Sequence, residues 1–204
     1  MQEDIITKEK VKELMAIKGE VRGFAIKDDI SYIHSKFGQE GVDKIEAEMR
    51  KLGFPIKYSD IKQMGFYPVG LAGVPQLVIK KLFNFDEQEF YKMGFFNARL
   101  PIPVRLFLRY FLSLRILADH GQELWRKYYR IGNYRASDIN EKEGYVISII
   151  DDFDITRTVC HTISGFLAGL VQMTINHPTT GKETKCTFLG DDHHEFLVKW
   201  EVKK

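Results

Sequence analysis

Residues 145–202 read YVISIIDDFDITRTVCHTISGFLAGLVQMTINHPTTGKETKCTFLGDDHHEFLVKWEV, and this stretch decides the fold. Residues 145–150 form a compact β-branched run, the signature of a half-buried or fully buried strand. The pattern then changes period. Over 155–175 the apolar residues Val159, Ile163, Phe166, Leu170 and Met173 recur at helical spacing on one face. Residues 182–189 and 195–202 alternate again, joined by Gly190-Asp191-Asp192-His193-His194, a cluster suited to a hairpin-like turn. In the last strand Phe196, Val198 and Trp200 share one face and Lys199 and Glu201 the other. Just upstream, 134–139 supplies an antiparallel neighbour for 145–150. Four strands and one long helix in this order predict a four-stranded antiparallel sheet.

Working back toward the amino terminus, the chain is helical. Residues 3–17 give a short charged amphipathic pattern ended at Gly19 and Gly23. Helical spacing returns at 28–37, with Gly38 as a C-terminal stop, and again at 42–52, ended by Gly53 and Pro55. Ser59 is a fair cap for the short segment that follows. The Gly- and Pro-rich stretch 65–75 is read as a connection, 74–83 as a helix, and 86–96 as another capped by Asn84 or Asp86. Pro101 and Pro103 suit the first turn of a helix running through Leu106, Tyr110, Leu114 and Leu117, with a further helix over 119–130 ended by Gly132. The expectation is an α+β fold, a helical layer packed on the sheet, with 1–17 as an N-terminal helical extension and 18–204 as a single domain.

Composition narrows the function classes. The chain has 204 residues, 44% of them hydrophobic, with 15 Phe and 9 Tyr, so an aromatic core is affordable without staples. A net charge of +2 argues against a dedicated nucleic-acid binder, whose basic excess would be larger and clustered. Two widely spaced cysteines suit a reducing, cytoplasmic setting. The most apolar stretch read as a membrane span, 100–117, carries Arg105, Arg109 and Arg115, so no spanning segment is expected.

Three features could carry chemistry. Ser164, Gly165, Ala168 and Gly169 lie on adjacent turns of one helix; small residues there either admit a neighbouring backbone closely or, beside Phe166 and Leu170, leave a cavity open. Cys186 and His194 flank one turn on paired strands, with Cys160 and His161 upstream, and thiolate with imidazole is a donor set for zinc. Against a preorganised metal site, no Cys-x-x-Cys or His-x-x-x-His spacing is present. The basic run Arg99, Arg105, Arg109, Arg115, Arg126, Lys127 and Arg130 reads as an anion-binding face or as solvated arginines over core helices. No phosphate loop, Gly-x-Ser-x-Gly, His-Glu-x-x-His or EF-hand pattern occurs, and Asp151, Asp152 and Asp154 are explained by a strand-to-helix loop, so no catalytic residue is assigned.

The run Cys160-His161-Thr162-Ile163-Ser164-Gly165-Phe166-Leu167-Ala168-Gly169, followed by Cys186, Gly190-Asp191-Asp192-His193-His194-Glu195-Phe196 and Trp200, resembles the 4-vinyl-reductase-like small-molecule-binding domain. Leu124-Trp125-Arg126-Lys127-Tyr128-Tyr129 with Gly132, and Lys18-Gly19 with Phe37-Gly38-Gln39-Glu40-Gly41, are similar to the branch of that superfamily abundant in myxobacteria. The resemblance implies a fold shared with TRAPP small subunits and haem nitric-oxide/oxygen-binding domains, and a ligand-sensing, often homodimeric module. It also implies a second hairpin cysteine, where this chain has His194. The haem signature Tyr-x-Ser-x-Arg is absent, the nearest run being Tyr134-Arg135-Ala136-Ser137-Asp138, so haem is disfavoured. Together these point to a non-catalytic cytoplasmic sensor of a small apolar or aromatic ligand, with Phe107, Tyr110, Phe111, Phe166 and Leu170 as pocket residues. Two rivals stay open: a dimerising interaction scaffold whose pocket is filled by side chains, and a zinc or iron sensor built on Cys186 and His194.

Overall fold

The computed structural model of the chain describes residues 6–99 and 113–202. The predicted pocket residues Phe107, Tyr110 and Phe111 lie outside them.

Helix α1 (Lys8–Met15) starts at Thr7, whose hydroxyl accepts from Lys10 N, and buries Val11 and Leu14 in the core. Strand β1 (Glu20–Arg22) follows and pairs antiparallel with β2 (Phe66–Pro68). The sequence places a glycine-bounded break at the first and a connection at the second, because three residues give alternation too little length to register among glycines and prolines. Helix α2 spans Gly23–Lys51 as two helical arms joined at Gly38. Gly38, expected to end a helix, does leave helical geometry, with φ 64° and ψ −166°, and the second arm follows it directly across a kink. The two arms bury Ile26, Ile30 and Ile33 on one side of the kink and Val42, Ile45 and Met49 on the other.

Helix α3 (Gly70–Phe83) begins four residues earlier than its apolar run suggests. Helix α4 (Glu87–Asn97) is capped by Asp86, whose carboxylate accepts from Glu89 N at 2.8 Å. Helices α5 (Leu114–Asp119) and α6 (Gly121–Tyr128) meet at His120, within two residues of the boundary expected between the helix running through Leu117 and the one over 119–130.

The main sheet holds β3 (Asn133–Asn140), β4 (Tyr145–Asp151), β5 (Thr179–Lys185) and β6 (His194–Trp200) in the order β3-β4-β6-β5, antiparallel throughout. Helix α7 (Arg157–Ile175) crosses from β4 to β5. The α+β expectation of a helical layer on a four-stranded antiparallel sheet is met. Alternation turns His194, Phe196 and Val198 of β6 inward, opposite Ile150, Ser148 and Val146 of β4. The strand expected over 182–189 stops at Lys185. There the Asp191 carboxylate accepts from Cys186 N at 2.7 Å, and Cys186 O accepts from Leu189 N and Asp191 N, folding 187–189 into a 3-10 turn.

Helix α7 is long and apolar enough to cross a bilayer by length and composition, yet it is the central helix of the core. Its small residues serve close packing. A Cβ on Gly165 would lie 1.9 Å from Tyr91 O, one on Gly94 would lie 1.8 Å from Thr162 O, and one on Gly181 would lie 2.6 Å from Ser164 O. The α4 and α7 backbones therefore touch directly, with β5 against the adjacent face of α7.

Candidate functional site

The remaining face of α7, carrying Val159, Ile163, Phe166, Leu167 and Leu170, borders a cavity of about 300 Å³. Val146 and Val198 of the sheet form its floor, Ala72 of α3 and Leu114 and Leu117 of α5 close its sides, and Trp125, Tyr128 and Tyr129 give it an aromatic wall. Trp125 stacks on Tyr129 with ring centroids 4.7 Å apart, and Tyr128 meets both Phe24 and Phe166 edge-on, at 6.1 and 6.2 Å. Of the residues expected to line a pocket, Phe166 and Leu170 are at this cavity.

A few polar groups interrupt the apolar lining. Asp29, buried, accepts Gln76 Nε2 on Oδ2 at 2.8 Å and Asn97 Nδ2 on Oδ1 at 2.6 Å. Tyr134 and Ser148 share a hydroxyl contact of 2.8 Å. Asp28 also lines the cavity, one residue before Asp29 on the first turns of α2. Burial, with the Asp29 charge beside it, pushes the Asp28 carboxyl up to about 8. Burial raises Asp29 to about 6, the two amide donors holding it lower than burial alone would. Burial likewise raises the Tyr128 and Tyr129 phenols, with the Asp28 charge adding to both and Arg22 opposing it at Tyr128.

These shifts fix a stability dependence. Asp28 keeps in the folded state a proton that the unfolded chain, at the ordinary value of 3.8, releases. Its contribution is therefore complete below about pH 4 and is lost as pH rises toward 8. Asp28→Asn, which cannot ionise, is expected to melt at least ~5 °C above the ligand-free parent at pH 8.5, with the gap closing by about pH 4. Melting curves across that range check it; a gap independent of pH would contradict the assignment.

At the amino-terminal end of α7 a second constellation forms. Cys160, Glu183, Cys186 and His194 bring one donor atom each within 4.8 Å of all the others. Cys160 Sγ is 3.6 Å from His194 Nδ1, and the same nitrogen is 2.9 Å from Glu183 Oε1. His194 is 1% exposed. Its far nitrogen, Nε2, faces Thr187 Oγ1 at 3.0 Å and Asp154 Oδ1 at 3.5 Å, and that hydroxyl also contacts Asp154. Without a metal, Nδ1 carries a proton to the Glu183 carboxylate; with its proton kept on Nε2 by those oxygens, Nδ1 could instead turn its lone pair to an ion shared with Glu183 and the thiols. Contact with Cys186 and then burial raise the Cys160 thiol, and the same contact brings Cys186 down to about 7. Burial pulls His194 down, but Glu183, Cys186 and Asp154 together outweigh it and the net shift is upward.

The predicted pair Cys186 and His194 is thus brought together, and Cys160 and Glu183 complete a set of four that suits zinc in type and number. His161 and His193 are elsewhere: His161 lies 3.5 Å from Glu87, and His193 is 2.6 Å from Asp192. Glu183 was missed because a glutamate in a polar strand reads as solvent-facing. The signal was its spacing, Glu-x-x-Cys followed by seven residues and a histidine.

No family profile matches the chain. An uncharacterized protein of Methanocaldococcus jannaschii, MJ0150, is 32% identical over 81 residues, which is 36% of this chain and 46% of that protein. The chain thus spans less than half the length of this curated relative. Solved structures are similar over far more of the fold. An H-NOX protein from S. oneidensis in the Fe(II)NO ligation state covers 89% of this chain and 99% of its own, with a TM-score of 0.66 at 11% identity. An unliganded Fe(II) H-NOX mutant from K. algicida gives 0.66 at 13% identity, covering 89% and 97%. The phenol-responsive sensory domain of the transcription activator PoxR, solved with phenol, gives 0.53 at 15% identity, covering 78% and 89%. The fold is the one these solved structures share.

Proposed function

We propose that the chain is a non-catalytic sensory module that takes a small, largely apolar organic ligand in the cavity beside α7. The observation that carries this reading is the cavity itself. A void of about 300 Å³ with apolar and aromatic walls and few polar groups is the form of a ligand site, and a filled scaffold would have side chains there. The fold shared with a phenol-responsive domain supports it, as does the resemblance to 4-vinyl-reductase-like domains. An organic guest suits the lining better than haem. Among the described residues the cavity presents no His or Cys to serve as an axial ligand, and burial holds its tyrosines protonated.

Native mass spectrometry of freshly purified protein is expected to show retained organic mass, with the homodimer as the main species. Leu167→Trp, which places an indole in the cavity, should abolish that retention and weaken uptake of small aromatics at least ~10-fold. The reading fails if the parent carries no added mass and its melting temperature is unmoved by millimolar phenol, indole, 2-phenylethanol and 2-phenylethylamine.

A second site accompanies the first. We infer that Cys160, Glu183, Cys186 and His194 hold one zinc ion, with Thr187 and Asp154 orienting His194 through Nε2. Four protein ligands leave no open position, so the ion would tie the start of α7 to the β5–β6 hairpin as a structural clasp.

A further inference from the structure

The cavity is unbalanced in charge. Among the described residues that line it, Asp28 and Asp29 are the only charged side chains; no Lys, Arg or His joins them. Asp29 is provided for, since each of its oxygens accepts an amide hydrogen. That arrangement has a cost at Asn97. With its nitrogen turned to Asp29, its oxygen Oδ1 is left wholly buried with no hydrogen-bond partner. Turning the amide over would set oxygen against carboxylate, so the orientation is fixed by Asp29. Asp28 has neither a hydrogen bond nor an ion pair to any described residue, while the Tyr128 phenol beside it lies edge-on to Phe24 and Phe166.

Resting on the ligand-binding reading above, we propose that the guest is an organic cation, an ammonium group on an apolar or aromatic body, with its N–H donors on Asp28 and Asn97 Oδ1. Asn97 Oδ1 is an unmet acceptor, and Asp28 becomes a second once it ionises, which two adjacent carboxyls in a dry site resist until a positive charge arrives. A neutral hydroxyl would satisfy one acceptor, leave the Asp29 charge unbalanced and give Asp28 no reason to release its proton. An ammonium supplies up to three donors and a charge opposite to both carboxyls. The rings of Tyr128, Phe24 and Phe166 add faces and edges among which a cation's carbon skeleton is at home. The apolar remainder of the cavity then covers that skeleton.

Calorimetric titration of the full chain with 2-phenylethylamine and its isostere 2-phenylethanol at pH 7.5 tests this. The amine is expected to bind at least ~10-fold tighter than the alcohol, and Asp28→Asn to weaken the amine ~30–100-fold while leaving the alcohol within about twofold. Equal binding of the two compounds by the parent, or an amine affinity indifferent to Asp28→Asn, would overturn the cation while leaving the cavity a ligand site. If neither compound binds and no retained mass is seen, the cation and the ligand-binding reading fall together. The amine–alcohol comparison on the parent needs no variant, so it decides the matter even should Asp28→Asn fold poorly.

Discussion

Cys160→Ser is expected to abolish the zinc binding proposed for the four-donor cluster and to lower the melting temperature by ~10 °C or more. The four donors come from three elements: the first turn of α7, the strand β5 with the residue that follows it, and the first residue of β6. Metal joining them closes long loops that the unfolded chain cannot hold closed, so its binding energy appears as folding energy. A loss of only ~3–4 kcal/mol would already move the transition of a chain this size by ~10 °C. Elemental analysis of tag-free protein from zinc-supplemented cells should find one equivalent in the parent and little in Cys160→Ser, Cys186→Ser or His194→Ala. Glu183→Gln should keep part of it, since an amide oxygen is a weaker ligand than a carboxylate. Metal-free parent protein whose melting ignores a strong chelator would remove the zinc assignment and leave the four side chains as a buried hydrogen-bonded cluster.

Gly165→Ala should be nearly as damaging despite adding one methyl group. That methyl would stand 1.9 Å from Tyr91 O and 2.8 Å from its carbonyl carbon, atoms that cannot rotate away as a side chain would. Relief requires α4 and α7 to part along the contact that also seats Gly94 against Thr162 O. Overpacking costs ~1–3 kcal/mol when neighbours yield and more when they are backbone, so a loss of at least ~3 kcal/mol is expected. Gly94→Ala should match it. The double variant should fall short of the summed losses, because one separation of the helices relieves both clashes. Urea titrations of the four proteins measure this directly; a loss under ~1 kcal/mol at Gly165 would show that the helices do not meet backbone to backbone.

The parts of the fold legible from sequence are those in which one periodicity runs long enough to be unambiguous. Helix α7 and strands β3, β4 and β6 announce themselves by the spacing of Val159, Ile163 and Phe166 and by the alternation around Phe196 and Val198. Strands β1 and β2 do not, being three residues each. Gly38 was legible as the boundary between two helices, and its φ of 64° makes that boundary; what the sequence did not show is that the second arm follows at once, so that the two read as one bent helix. At the candidate sites, chemistry was visible where residue type is uncommon and hidden where it is not. Cys186 and His194 stood out. Asp28 and Asp29 looked like the polar start of an amphipathic helix, and only the arrangement of α3, α4 and α6 around them makes a dry cavity of that place.

The bend in α2 also bears on how this chain can drift through evolutionary time. Nothing lies within 4 Å of where a side chain at position 38 would begin, so sterics with neighbours leave the choice of residue open. The backbone does not: φ 64° with ψ −166° belongs to a region that residues bearing a Cβ scarcely enter. Every single-base change to a glycine codon that yields another amino acid introduces such a residue. An exposed, uncrowded spot is thereby among the least substitutable in the molecule, a case in which surface accessibility is a poor guide to genetic latitude.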